Sequence, residues 1–349
     1  MITLEFKQTP YLMLNVQTAI DNYKFIKDNI NIKIFYAVKS NPDEHIVNAM
    51  NQLNSNFDVA SAGEIRYLMN CGISPNRLIY ANTVKTAEGL QLAKQYGIKH
   101  FTFDSMEEIN KIAKYVPDAK LLLRIRVESN AKVNLNKKFG CQIADVDNLI
   151  HSANENGLNV VGIAFHVGSN CQDINVYKKA LSTAICICKL HDLHILDIGG
   201  GFCHYETIKD TLHTIQQYTN EITSDYKLEL WCEPGRFICE NTMVLHTSVI
   251  GKTIRDGQIW YWLDEGIYGS LSNVICDHFI PEFVTNKTDN IAKSTFVGPS
   301  CDSIDIIREG VMMPELSIGD ELLVYNMGAY TTVTATTFNG FRIAPVYQH

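Results

Sequence analysis

Two hydrophobic periodicities alternate along the first two-thirds of the chain. Short apolar, β-prone runs occur at residues 32–38, 57–60, 77–80, 100–103, 121–127, 160–166, 194–198 and 229–232. Runs of this kind, bounded by turn formers, read as buried strands. Between them lie stretches with helical spacing, at 64–70, 86–96, 106–115, 146–156, 176–190 and 212–223. A strand over 11–14, entered from Pro10, and a helix over 16–30 precede the series. About eight β-α units in succession are the repeat of a TIM barrel. An open doubly wound sheet is the competing reading. It would carry a glycine-rich dinucleotide turn after an early strand, where this chain has Lys39-Ser40-Asn41-Pro42.

After Arg236 the rhythm changes. Residues 243–253, 258–263, 294–297, 321–324 and 331–337 read as strands joined by turns, without regular helices between them. A second, all-β domain is therefore expected. With the first strand assigned to it, the domains become 15–238 for the barrel and 1–14 plus 239–349 for a discontinuous β domain. The fold class is α/β with an appended all-β domain.

Catalytic groups of a TIM barrel collect at the C-terminal ends of its strands. Those ends carry Lys39, Arg124 or Arg126, His166, the Gly199-Gly200-Gly201 turn, and Glu233 with Arg236. Taken singly, each has a structural explanation. A strand-end lysine can snorkel to water, a histidine can be a hydrogen-bonded core residue, and a glycine run can be a tight exit. Taken together they describe a different object. Lys39 is an amine able to bind covalently. His166 is a flat partner for a ring. The glycines leave backbone N–H groups able to cradle a phosphate, to which Arg236 adds charge. A phosphate-bearing cofactor with an aldehyde fits this set, and pyridoxal 5'-phosphate (PLP) fits it best.

Composition removes other classes. A net charge of −8 argues against a nucleic-acid or anionic-membrane partner. No uncharged apolar run approaches the ~20 residues of a membrane-spanning helix, and the first residues have no secretory pattern. The ten cysteines are scattered; Cys186-Ile187-Cys188 is not a metal spacing, and no paired CxxC units occur, so no metal site is expected. Free thiols in a reducing cytoplasm account for them most simply.

The motifs extend the reading. Tyr36-Ala37-Val38-Lys39, Phe57-Asp58-Val59-Ala60-Ser61, Phe165-His166-Val167-Gly168-Ser169 and Leu196-Asp197-Ile198-Gly199-Gly200-Gly201-Phe202 are followed by Glu233-Pro234-Gly235-Arg236. Gly298-Pro299-Ser300-Cys301-Asp302, Asn326-Met327-Gly328-Ala329-Tyr330-Thr331 and Thr337-Phe338-Asn339-Gly340-Phe341 come after them. In these motifs and their order the chain resembles the fold-type III PLP-dependent decarboxylases, the ornithine decarboxylase-like group that includes diaminopimelate and arginine decarboxylases. The resemblance implies an alanine-racemase-like architecture and a homodimer with shared active sites. It implies that Lys39 holds PLP covalently, His166 stacks on its ring, and Glu233 pairs with the ring nitrogen. Ser169, Gly199, Gly200, Gly201, Arg236 and Tyr330 would hold the phosphate, with Arg124 and Asp58 beside the ring. Cys301, from the partner subunit, would return a proton to the α carbon.

By the same resemblance, Asp302 and Asp277 read the far end of the substrate, with Tyr268 and Phe338 in the same pocket. Two carboxylates suit a distal ammonium, which points to L-ornithine and putrescine, hence polyamine synthesis. Lysine, or a conjugated diamino acid of siderophore synthesis, is the alternative. A tyrosine often precedes the second aspartate in the family, and here Cys276 stands there. A racemase would need a second base, usually tyrosine, where this chain has Cys301. A regulatory homologue would be expected to lose the cofactor and catalytic residues that are all present.

Overall fold

The computed structural model describes residues 8–128, 135–202, 208–288 and 290–349. The chain opens with strand β1 (Tyr11–Leu14) and helix α1 (Val16–Asn29). Eight parallel strands then close into a barrel. They are β2 (Lys33–Ala37), β3 (Asn56–Val59), β4 (Leu78–Tyr80), β5 (His100–Phe103), β6 (Lys120–Arg124), β7 (Asn159–Ala164), β8 (Ile195–Asp197) and β9 (Glu229–Cys232). The connecting helices are α2 (Glu44–Gln52), α3 (Ala62–Asn70), α4 (Ala87–Tyr96), α5 (Met106–Tyr115), α6 (Val146–Glu155), α7 (Ile174–His191) and α8 (Ile208–Ile222). The open-sheet alternative is excluded by closure, because β9 pairs back onto β2 through Lys33↔Trp231 and Ile34↔Cys232.

Local chemistry explains the rhythm. Ser61 starts α3 by accepting the Glu64 N–H, while the Glu64 carboxylate accepts the Ala60 N–H at 2.6 Å. Thr86 caps α4 in the same way, and Gly97, at φ +82°, ends it. Inside the barrel, Phe35, Ile79, Ala81, Leu122, Ala164 and Trp231 pack into one apolar cluster. One ion pair is buried in the wall. Lys85, just before α4, donates to the Thr102 carbonyl at 2.5 Å and lies 3.3 Å from Glu108 of α5. Burial pushes its amine down to about 8, against the opposing pull of Glu108.

The chain divides into two compact units, Ile20–Ile238 and a second made of residues up to Ala19 with Cys239–His349. The second unit is built on an eight-stranded sheet. Its remaining strands are β10 (Met243–Arg255), β11 (Gln258–Leu263), β12 (Phe283–Val284), β13 (Ile291–Val297), β14 (Ile306–Pro314), β15 (Glu321–Val324) and β16 (Val346–Gln348). They run in the order β12-β15-β10-β11-β13-β14. β1 joins them, antiparallel to β10 through Leu12↔Leu245 and parallel to β16 through Leu12↔Val346.

The elements depart from the sequence reading at several places. Residues 331–337 form a turn, not a strand. The Thr331 hydroxyl donates to the Met327 carbonyl and that of Thr334 to the Tyr330 carbonyl, each at 2.7 Å, so the hydroxyls bond the local backbone in place of a neighbouring strand. Strand β2 ends at Ala37, and Val38–Ser40 is a single 3-10 turn that carries Lys39. Helix α2 and strands β12, β14 and β16 went unread.

Candidate active site

The ends of the barrel strands carry a dense set of charges. Lys39 extends its amine to Asp58, on the neighbouring strand, at 2.7 Å. Asp58 is buried and its second oxygen, Oδ1, has no hydrogen-bond partner. Arg124 ends β6 with Nε and Nη2 buried and also without a partner, its guanidinium 5.0 Å from the Phe139 ring centroid. Arg236 is buried beyond β9, and Ser169 lies half-buried in the turn after β7.

His166 follows β7 by two residues. Its Nδ1 accepts the Gly168 N–H at 2.9 Å, which leaves the ring proton of the neutral imidazole on Nε2. Burial, then Arg124 and Lys39, hold the ring well below the usual histidine range, so it is neutral at pH 7. The glycine turn packs under this ring. A Cβ on Gly200 would stand 2.8 Å from the Glu233 carbonyl oxygen and 3.3 Å from His166 Nε2, so a side chain there meets backbone.

Glu233 follows β9 by one residue. Burial first, then the charges of Asp197 and Asp58, raise its carboxyl well above the usual carboxylate range. His166 and Glu233 lie deep among charged neighbours, yet both keep partly exposed surface, as side chains lining a hollow do. One expectation for the turn is corrected. The Gly199 N–H is not available to a phosphate, because it donates to Asp197 Oδ1 at 2.8 Å. The N–H groups of Gly200 and Gly201 have no acceptor among the described residues.

The remaining six candidates lie on the β unit. The Tyr268 hydroxyl donates to Asp302 at 2.6 Å, and its ring lies 4.3 Å from that of Phe338. Cys301 is exposed, and its N–H donates to the Asn339 side-chain oxygen at 3.1 Å. Tyr330 sits half-buried in the threonine turn at φ +56°. Asp277 follows the short helix Asn273–Cys276, half-exposed, its N–H bonded to the Asn273 carbonyl. Sequence reasoning quoted Asp197 and Asn339 within motifs and gave neither a role. The available signal was polarity at the end of an apolar strand and beside a turn glycine.

Residues 16–240 match the family described as pyridoxal-dependent decarboxylase, pyridoxal binding domain. The chain belongs to the pyridoxal-dependent decarboxylases. The lysine/ornithine decarboxylase of Selenomonas ruminantium is 41% identical over 97% of this chain and 88% of its own length. The crystal structure of SrLDC in complex with PLP and cadaverine superposes with a TM-score of 0.93 at 39% identity, over 99% of this chain and 91% of that one. The arginine decarboxylase of Paramecium bursaria Chlorella virus, bound to agmatine, gives 0.94 at 34% identity over 98% of each chain. This decarboxylase therefore uses PLP, and its barrel suits that group. Asp58 and Arg124 present buried polar atoms with nothing to bond. Two turn amides are open, and the imidazole is flat and neutral.

Proposed function

We propose that this decarboxylase acts on basic amino acids, converting L-ornithine to putrescine and carbon dioxide, with L-lysine as a second substrate. The observation that carries the reading is the Asp302 carboxylate, adjacent to Cys301 and held by the Tyr268 hydroxyl at 2.6 Å. That bond, foremost, keeps Asp302 below its ordinary range, as an anion suited to a distal ammonium. Cys276 is exposed beside Asp277, where the family often has tyrosine, and this smaller side chain is our reason for naming lysine as the second substrate. The name of the Selenomonas relative couples the same two substrates.

Bound PLP supplies an electron sink conjugated to the substrate's α carbon. Lys39 holds the cofactor through its amine, and Asp58 orients that amine. Glu233 keeps a proton at the ring nitrogen. His166 would stack against the ring and, being neutral, would add no charge that weakens the sink, with Arg124 beside it. Ser169, Gly200, Gly201, Arg236 and Tyr330 take the phosphate. Cys301 gives its thiol proton to the α carbon once carbon dioxide has left, and Asp302 with Asp277 receives the distal ammonium. In this reading Cys301 and Asp302 serve the barrel of a partner copy, so the working form is a homodimer. We place it in the cytoplasm, where a reducing environment suits the free cysteines of the described residues.

Carbon dioxide release should be measured with ornithine, lysine, arginine and diaminopimelate. Ornithine is expected to give the highest kcat/KM, with lysine within about 200-fold, because one methylene discriminates by no more than ~3 kcal/mol. Release from diaminopimelate alone, or from none of the four with cofactor bound, overturns the assignment.

A further inference from the structure

Asp197 has no part in the roles assigned above, although it is among the most enclosed acids of the barrel. It closes β8 beside the origin of Glu233, since β8 pairs with β9 through Asp197↔Trp231. Its Oδ1 accepts the Gly199 N–H at 2.8 Å, and the Gly199 carbonyl accepts the Glu233 N–H at 2.8 Å. Asp197 Oδ2 is buried with no hydrogen-bond partner, on the strand next to the one that leads into Glu233. Backbone and side chains thus tie the two acids together around Gly199.

The charges that face this pair come from the ends of three strands. Lys39 beyond β2, Asp58 on β3 and Arg124 on β6 act on both or one of the acids, and His166 beyond β7 is neutral. Cys232 on β9 is a buried thiol held in its neutral form. Lys39 is paired with Asp58, which leaves Arg124 against two carboxyl groups. Two buried carboxylates opposed by one cation favour retention of a proton between them. Burial accordingly lifts Asp197 to about 6 and Glu233 well above its ordinary range.

We propose that Asp197 and Glu233 share one proton in the cofactor-free chain, and that Asp197 is the positioning residue that keeps this proton available for the ring nitrogen of PLP. The inference rests on the pairing of Glu233 with that nitrogen. The step is a transfer: the Glu233 O–H bond breaks, the N–H bond forms, and Glu233 is left as a carboxylate facing the new cation. No solvent proton is required at the ring.

Asp197→Asn tests this with the Gly199 contact preserved, because the asparagine oxygen can still accept that N–H while its amide can donate to an ionised Glu233. PLP binding to the full-length cofactor-free protein is followed by calorimetry at pH 7 in buffers of different ionisation heat. The variant should take up about one more proton per PLP bound than the parent. Equal uptake overturns the shared proton, and weakened binding with equal uptake marks a merely structural aspartate. Nitrogen-15 NMR of labelled PLP separates this inference from its foundation. If Glu233→Gln leaves the ring nitrogen protonated as in the parent, the Glu233 pairing itself fails. If that variant loses the proton while Asp197→Asn shows equal uptake, only the sharing fails. Should Asp197→Asn not fold, infrared difference spectra of the parent decide. Loss of a carboxylic-acid carbonyl band when PLP is added supports the proposal, and absence of any such band overturns it.

Discussion

Tyr268 and Asp302 hold each other in fixed protonation states. The hydrogen bond from the phenol keeps the carboxyl ionised, and the same bond is the first cause that pushes Tyr268 up to about 12. Tyr268→Phe removes this support from the acid proposed to read the distal ammonium. KM for ornithine should rise roughly fivefold with kcat nearly unchanged, the pattern of lost uniform binding. The acid limb of kcat/KM should also move to higher pH, because a carboxyl whose lowered pKa is relaxed loses its charge earlier as pH falls. Steady-state kinetics between about pH 3 and 7 check both, and an unchanged acid limb with an unchanged KM refutes the role. Lys39, His166 and Glu233 were legible as residues because an apolar strand that ends in a polar group marks the catalytic face of a barrel. The tie between Asp197 and Gly199 was not. The glycine run read as open amides, and the geometry that bends a strand-end carboxylate back onto the first of them is a three-dimensional fact.

Helices and strands long enough to repeat their period were legible; short or mixed ones were not. Helix α2 buries Ile46, Val47, Ala49 and Met50, a helical set, but it lasts only nine residues. Strand β14 carries Arg308-Glu309-Gly310 in its middle, and its pairing with β13 shifts register there, which hides the period of two. The Lys85–Glu108 pair was also illegible, since its members belong to a loop and a helix separated by a whole strand. This pair anchors the β4–α4 loop to α5, and its loss belongs to the scale of these elements. Lys85→Met leaves Glu108 buried with the residue-85 N–H at 3.1 Å and the partly exposed Lys111 at 2.6 Å. We expect destabilisation by about 2 kcal/mol, with much of it recovered in Lys85→Met/Glu108→Leu, because an under-compensated buried charge costs more than an apolar replacement of both. Urea midpoints of the two variants and the parent measure this. A single variant as stable as the parent contradicts it.

At the scale of the whole molecule, the closed barrel was legible and the β unit only in part. Eight alternations specify a closed architecture, whereas strands of the β unit find partners far away in sequence. The candidate residues divide along the same line, with Lys39 on the barrel and Cys301 on the β unit. If a homodimer shares its sites as proposed, Lys39→Ala and Cys301→Ala proteins, each nearly inactive, should regain activity when mixed and allowed to exchange subunits. One intact site per mixed dimer gives about a quarter of parental activity at full random exchange, by the symmetry of a two-fold assembly. No recovery, with exchange verified by mass, rules out a shared site.

The position of β1 bears on how the chain emerges from a ribosome. Tyr11–Leu14 precedes the barrel strands in the chain, yet its pairing partners are Met243 to His246 on one side and Val346 to Gln348 on the other. The barrel strands, by contrast, find each other within a continuous stretch. During translation the barrel can close around its lysine while β1 still lacks both neighbours. The sheet of the unit that carries Cys301 is completed only once Val346–Gln348 has emerged, well after the barrel strands.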